Sequence, residues 1–164
     1  MENNKIYWAK VNKDAIIPTK RSEDAGYDLY PCFEQETIVI APNEVVFIST
    51  GVACAFNQGS MLKIYERGST GSRCMSVRAG VVDSGFRNEI VVMINNTSNL
   101  SIVISSSSYV LENSYNCIVY PKNKAIAQAV LVKLDESESE EISYEDLLEI
   151  KSERGISMLG DSGK

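Results

Sequence analysis

The sequence predicts an all-β fold, a barrel or a sandwich, and three observations carry that reading. Short segments rich in β-branched residues recur through the first 134 positions. Turn chemistry separates them at short intervals. Sustained helical periodicity is nearly absent, and many short strands at such spacing pack as barrels or sandwiches.

Taken in order, the strand segments are Thr37-Ile38-Val39-Ile40, Val45-Val46-Phe47-Ile48, Met61-Leu62-Lys63-Ile64-Tyr65, Glu89-Ile90-Val91-Val92-Met93-Ile94, Leu100-Ser101-Ile102-Val103-Ile104 and positions 125–134. Ala41-Pro42-Asn43, Asn57-Gln58-Gly59 and Asn95-Asn96-Thr97-Ser98 supply turns between them. Ser105-Ser106-Ser107-Ser108 is a polar tract expected on a surface loop, inside a stretch, 97–120, expected as an extended surface hairpin. The one helical exception is 143–150, where Ser143 can cap a turn or two. Asp135-Glu136-Ser137-Glu138-Ser139-Glu140-Glu141 reads as a solvated connector and the end after Glu153 as a mobile tail. The expected organisation is a β domain over 1–134, an acidic linker over 135–153 and a tail motif over 154–164.

Composition narrows the function. A chain of 164 residues, 44% hydrophobic and 23% charged, has the length and balance of one soluble globular domain. No window approaches 18 consecutive apolar residues and the first five positions do not open a signal peptide, so the expectation is a cytoplasmic protein without a membrane partner. The net charge of −6 argues against a nucleic-acid partner. That charge is uneven: positions 1–134 carry 13 basic and 12 acidic residues, and positions 135–164 carry 3 and 10. There is no histidine, and Cys32, Cys54, Cys74 and Cys117 form no C-x-x-C pair. A structural zinc site and a histidine-activated nucleophile are therefore both disfavoured, and the cysteines are expected as free buried thiols. Carboxylates, arginines, hydroxyls and backbone amides remain to do the chemistry.

Five polar or Gly-containing clusters interrupt the strands. They are Asp24-Ala25-Gly26-Tyr27-Asp28-Leu29; Glu66-Arg67-Gly68-Ser69-Thr70-Gly71-Ser72-Arg73; Ala79-Gly80-Val81-Val82-Asp83-Ser84-Gly85-Phe86-Arg87-Asn88-Glu89; Ala125-Ile126-Ala127-Gln128; and Arg154-Gly155-Ile156-Ser157-Met158-Leu159-Gly160-Asp161-Ser162-Gly163. A Gly/Ser/Thr turn beside arginines offers amide, hydroxyl and guanidinium donors suited to phosphate oxygens. Asp83 follows an apolar strand and precedes a Ser-Gly turn, where its carboxylate could face a water held against a substrate. Singly these clusters are ordinary loops and caps.

In their order along the chain they resemble the five motifs of the trimeric dUTPase family, within the dUTPase and dCTP deaminase superfamily. The first cluster is close to D-A-G-x-D-L and the third to G-V-I-D-x-x-Y-R-G-E. The resemblance implies a jelly-roll-like distorted β-barrel with a mobile C-terminal tail, and hydrolysis of dUTP to dUMP and diphosphate. In this family a water attacks the α-phosphorus while Mg2+ is held by the phosphates and by waters, with no direct protein ligand expected. Asp83 then matches the general base, and Asp28 the aspartate that supports the metal's waters. Arg67, Gly68, Ser69, Gln128, Arg154, Ser162 and Gly163 match phosphate-binding positions. Val77, Ala79, Gly80, Val82, Asp83, Phe86 and Leu159 match the base and sugar site, where the backbone of a hairpin near 77–82 selects uracil. The family is homotrimeric, with the tail of one chain closing the site of another.

The chain departs from the family pattern in several places. Phe86 replaces a tyrosine, keeping the ring and losing the phenol. Arg67-Gly68-Ser69 stands for R-S-[GS], so one hydroxyl donor is missing or displaced. Asn123-Lys124-Ala125 alters the turn leading into Ile126-Ala127-Gln128. Met158-Leu159 replace Gly-Phe in the tail, and Asp161 replaces a serine. A dCTP deaminase of the same fold is one alternative; it needs a glutamate where this chain has Met93. A non-catalytic nucleotide-binding or regulatory homologue is the other.

Overall fold

The computed structural model describes residues 5–113, 116–135 and 137–157, and among them twelve short strands form four sheets. The strands are β1 Tyr7–Lys10, β2 Tyr27–Leu29, β3 Thr37–Ile40, β4 Val45–Ser49, β5 Val52–Ala55, β6 Ser60–Tyr65, β7 Met75–Arg78, β8 Val81–Asp83, β9 Val91–Asn96, β10 Ser101–Ser105, β11 Cys117–Pro121 and β12 Ala127–Lys133. Three short helices accompany them: α1 Gly68–Gly71, α2 Ser108–Asn113 and α3 Tyr144–Glu149. The sheets run β1-β5, β11-β10-β3, β2-β12-β6-β8 and β4-β9-β7. The architecture is thus mostly β, as the sequence predicts.

Period-two alternation makes the core. On β6, Leu62 and Ile64 point inward and are buried, while Met61, Lys63 and Tyr65 face outward. Facing them are Ala127 and Ala129 of β12, Leu29 of β2 and Val82 of β8, all buried. Ile40, Ile48, Ile94, Ile102, Ile104 and Phe56 extend the same cluster across the other sheets. Burying each such side chain is worth about 1.5–3 kcal/mol.

Every strand segment read from the sequence is present, within two residues at its ends. Six more strands join them: β7 and β8 lie where the hairpin near 77–82 is expected, β11 lies in the stretch 97–120, and β1, β2 and β5, of three or four residues each, went unforeseen. Two expected loops are corrected. Asn95-Asn96 is not a turn but the end of β9, and Asn96 is fully buried. Its Nδ2 donates to the carbonyls of Ile40 and Leu100 at 2.9 and 2.8 Å, and its Oδ1 accepts from the Ser98 amide and hydroxyl. A fully satisfied amide can be buried at little cost. Ser105 likewise ends β10 in the interior, its Oγ 2.8 Å from Thr37 Oγ1.

The expected hairpin over 97–120 is also corrected. Strands β10 and β11 are parallel, in register from Ser101↔Cys117 to Ser105↔Pro121. A parallel pair needs a crossover rather than a tight turn, and α2 lies in that crossover.

All four cysteines are free thiols, but only Cys54 is buried; Cys32, Cys74 and Cys117 are half-buried. Burial pushes the Cys54 thiol up to about 11. Beyond β12, α3 forms where the sequence placed it. Ser143 Oγ accepts the Asp146 amide at 3.0 Å, and Glu145 and Asp146 complement the first turn. Among the described residues no helix is long and apolar enough to cross a membrane.

Candidate active site

Two clefts hold most of the residues singled out in the sequence. The first, about 760 Å³, lies where the ends of β2, β6 and β12 meet α1. Gln128 of β12 is directly opposite both Asp28 of β2 and Tyr65 of β6, so the three side chains share the outer face of the sheet. Chain approach here is close: a Cβ on Gly26 would stand 2.9 Å from Gln128 Cβ, which is fixed to its backbone, so a side chain would force the two strands apart.

A forked ion pair organises this cleft. Arg67 Nε lies 2.8 Å from Asp28 Oδ1, and its Nη2 donates to Oδ2 at 3.3 Å. Both partners are about one-third exposed, so the pair orients the two groups more than it stabilises the fold. Arg67 Nη1 also donates to Ser69 Oγ at 3.4 Å, and Gln128 Nε2 to the Glu66 carbonyl at 2.8 Å. The local turn is set by Thr70, buried, whose Oγ1 accepts the Arg67 amide at 3.0 Å. Lys20 and Arg21 line the rim, where Arg21 forks onto Asp24 with both contacts at 2.9 Å. That partner holds the Asp24 carboxyl below the usual carboxylate range.

The second cleft, about 400 Å³, surrounds the turn between β7 and β8. Ala79, Gly80, Val82, Asp83 and Phe86 line it, with Ile64 and Met93. Ala79 and Gly80 both have positive φ, 58° and 77°. At Gly80 this demands glycine twice over, since a Cβ would also meet the Ile64 carbonyl at 2.7 Å. The two strands do not remain a hairpin: β7 pairs with β9 and β8 with β6. They splay into different sheets from a two-residue turn. Phe86 stays 42% exposed at the mouth, and its amide donates to the Asp83 carbonyl at 3.0 Å. Glu89 lines the same cleft, with Oε1 accepting the Gly51 amide at 2.7 Å.

Sequence and structure differ on several members of the set. Asp28, Arg67, Gly68, Ser69 and Gln128 come together in the first cleft. Ala79, Gly80, Val82, Asp83 and Phe86 come together in the second. Val77 lines neither; it is half-buried on β7, with its amide donated to Glu66 Oε1 at 2.6 Å. Arg154 is exposed and lines neither cleft. Leu159, Ser162 and Gly163 lie outside the described residues.

Lys63 and Glu66 are the contacts that sequence reading missed. Lys63 Nζ donates to the Ala79 carbonyl at 3.1 Å. The Glu66 carboxylate accepts from the Val77 amide and, at 3.2 Å, from the Ser76 hydroxyl. Burial pushes the Glu66 carboxyl up, but the Glu66 and Val77 amides, the Ser76 hydroxyl and nearby Lys63 outweigh it and hold it below its ordinary value. A glutamate immediately before Arg67 was the only available signal.

Known proteins share this sequence pattern and fold. The dUTPase family model matches residues 12–110. A deoxyuridine 5′-triphosphate nucleotidohydrolase of Nautilia profundicola is 29% identical over 164 residues, covering 98% of this chain and 99% of that protein. The variola virus protein of the same name is 25% identical over 76% of this chain and 83% of its own length. Among solved structures, a mutant dUTPase of Staphylococcus bacteriophage 80alpha with dUpNHpp superposes with a TM-score of 0.76. It is 25% identical over 99% of this chain and all of that one.

Proposed function

The chain belongs to the dUTPase family, and on that premise we propose that it hydrolyses dUTP to dUMP and diphosphate. The observation that carries this reading is the second cleft, where Asp83 and Phe86 line the same space as a turn with two positive-φ residues. Backbone groups of that turn are suited to the edge of a uracil. Cytosine would set a donor where uracil has an acceptor and leave a desolvated group unpaired, which discriminates strongly. In this reading Phe86 packs on the deoxyribose, and Asp83 takes the proton of a water attacking the α-phosphorus.

The first cleft is suited to the triphosphate. Arg67, Ser69 and Gln128 present donors, while at the rim Lys20 and Arg21 are balanced by Glu23 and Asp24. The donors suit phosphate oxygens, and the Asp28 carboxylate fits the waters of a magnesium ion arriving on those phosphates. Asp28 has Arg67 across both oxygens, which leaves lone pairs for a hydrogen bond from a water rather than an open seat for a bare cation. Such an ion would offset phosphate charge, and Asp28, kept oriented by Arg67, would be the acceptor for its waters.

Asp28 and Asp83 do not serve the same phosphorus within one chain. They are separated by three strand spacings across β2-β12-β6-β8 and by four residues along β6, which is roughly 20 Å. A site using both is therefore assembled between copies, and the family's homotrimer supplies that arrangement. Arg154 and the tail motif from a further copy would close it over the γ-phosphate.

Incubation with dUTP, dCTP and UTP plus magnesium, followed by product separation, tests the reading. Release of dUMP and diphosphate from dUTP alone is expected. Ammonia from dCTP would overturn it in favour of a deaminase, although Met93 in the base cleft offers a thioether where a proton carrier is needed. Absence of any turnover with retained nucleotide binding would favour a binding protein.

A further inference from the structure

Glu66 connects the two clefts, and no role assigned above uses it. It follows β6 directly and precedes Arg67. Its backbone carbonyl accepts Gln128 Nε2 at 2.8 Å, which fixes it to the phosphate-side cleft. Its carboxylate accepts the Val77 amide at 2.6 Å and the Ser76 hydroxyl at 3.2 Å, which fixes it to β7 on the base side. β7 is an edge strand, bonded to β9 on one flank. The Val77 amide points from the other flank, and the Glu66 carboxylate takes it. An amide–carboxylate bond this short is charge-assisted and stronger than a neutral one.

β6 itself grips the other end of the same turn. Lys63 Nζ holds the Ala79 carbonyl at 3.1 Å, and the Ile64 amide donates to the Gly80 carbonyl at 2.7 Å. Residues 63, 64 and 66 therefore grip the turn and its leading strand, and of the three it is Glu66 that bonds β7 itself. Without it β7 keeps its ladder to β9 but loses its direct tie to the end of β6, which loosens the width of the cleft.

We propose that Glu66 is a positioning residue that ties the base-binding turn to the phosphate-binding loop, setting the width of the β7–β8 mouth for uracil. This rests on the dUTP reading above. Glu66 touches no reacting atom, so its removal should weaken substrate capture more than chemistry.

The test compares Glu66→Ala and Glu66→Gln in the full chain. In Glu66→Ala the KM for dUTP should rise about tenfold, the scale of one lost charge-assisted bond, while kcat stays within about threefold. Glu66→Gln keeps an acceptor for the Val77 amide and should recover most of the loss. Hydrogen exchange at the Val77 amide, measured without nucleotide, should quicken in Glu66→Ala and stay near wild type in Glu66→Gln. An unchanged KM in Glu66→Ala, or equal damage from both variants with Val77 still protected, would overturn the proposal. If the wild type fails to turn over dUTP, the functional reading has failed. The exchange contrast then still decides whether Glu66 holds β7.

Discussion

Asp83 lies on the outward row of β8, directly opposite Met61 of β6, with its side chain exposed at the second cleft. Its structural bonds run through its backbone, because the Phe86 amide uses the Asp83 carbonyl. The carboxylate is thus removable without dismantling the turn. Asp83→Asn should lower kcat for dUTP by at least ~10²–10⁴-fold, the usual worth of a positioned base. Binding of a non-hydrolysable dUTP analogue, measured by calorimetry, should persist. Near-normal turnover in that variant would remove Asp83 from the role. Most residues of the two clefts were legible in sequence because they cluster in short motifs: Asp28 in one, Arg67 and Ser69 in another, Asp83 and Phe86 in a third. Glu66 was not. Its importance comes from the Val77 amide eleven positions later, and no local pattern announces which carboxylate will meet an edge strand.

At the level of elements, the turn between β7 and β8 is the feature most sensitive to a single atom. Gly80 has a φ of 77° and sits under the Ile64 carbonyl. Gly80→Ala should cost about 1–3 kcal/mol from the backbone conformation, with the contact at Ile64 adding to it. Thermal or urea denaturation would read that loss. Affinity for dUTP should fall as well, since relief of the contact moves the turn backbone. A variant with unchanged midpoint and KM would show that the turn tolerates a side chain. The β-branched segments disclosed the longer strands, but not how they pair. A parallel β10–β11 pair and the pairing of β7 with β9 and of β8 with β6 depend on which strands lie alongside, which no local pattern in 75–83 or 97–120 discloses. Asn96 is a mixed case: its amide is buried because the Leu100 carbonyl and the Ser98 amide and hydroxyl satisfy it locally and the Ile40 carbonyl, 56 positions away, completes the set.

On the scale of the whole molecule, the separation of Asp28 from Asp83 leads to a prediction about assembly. The protein should sediment and scatter as a trimer near 54 kDa, three times 18.1 kDa. Asp28→Asn and Asp83→Asn should each be nearly inactive alone. Mixed after reversible dissociation, they should recover up to about a quarter of wild-type sites, because random assortment pairs an intact Asp28 with an intact Asp83 across subunits. An active monomer, or no recovery on mixing, would show that a single chain carries the complete site. The sequence by itself determined the mostly β architecture, the absence of histidine chemistry and the identity of the motif residues, because alternation, composition and short motifs are properties of neighbouring positions. Tertiary structure alone decided that those motifs divide between two clefts, that Arg67 is engaged by Asp28, and that Glu66 bridges the two sides. The physical reason is that strand order and register set these distances, and both are fixed by burying Leu62, Ile64, Ala127, Ala129 and Val82 against one another from segments far apart in the chain.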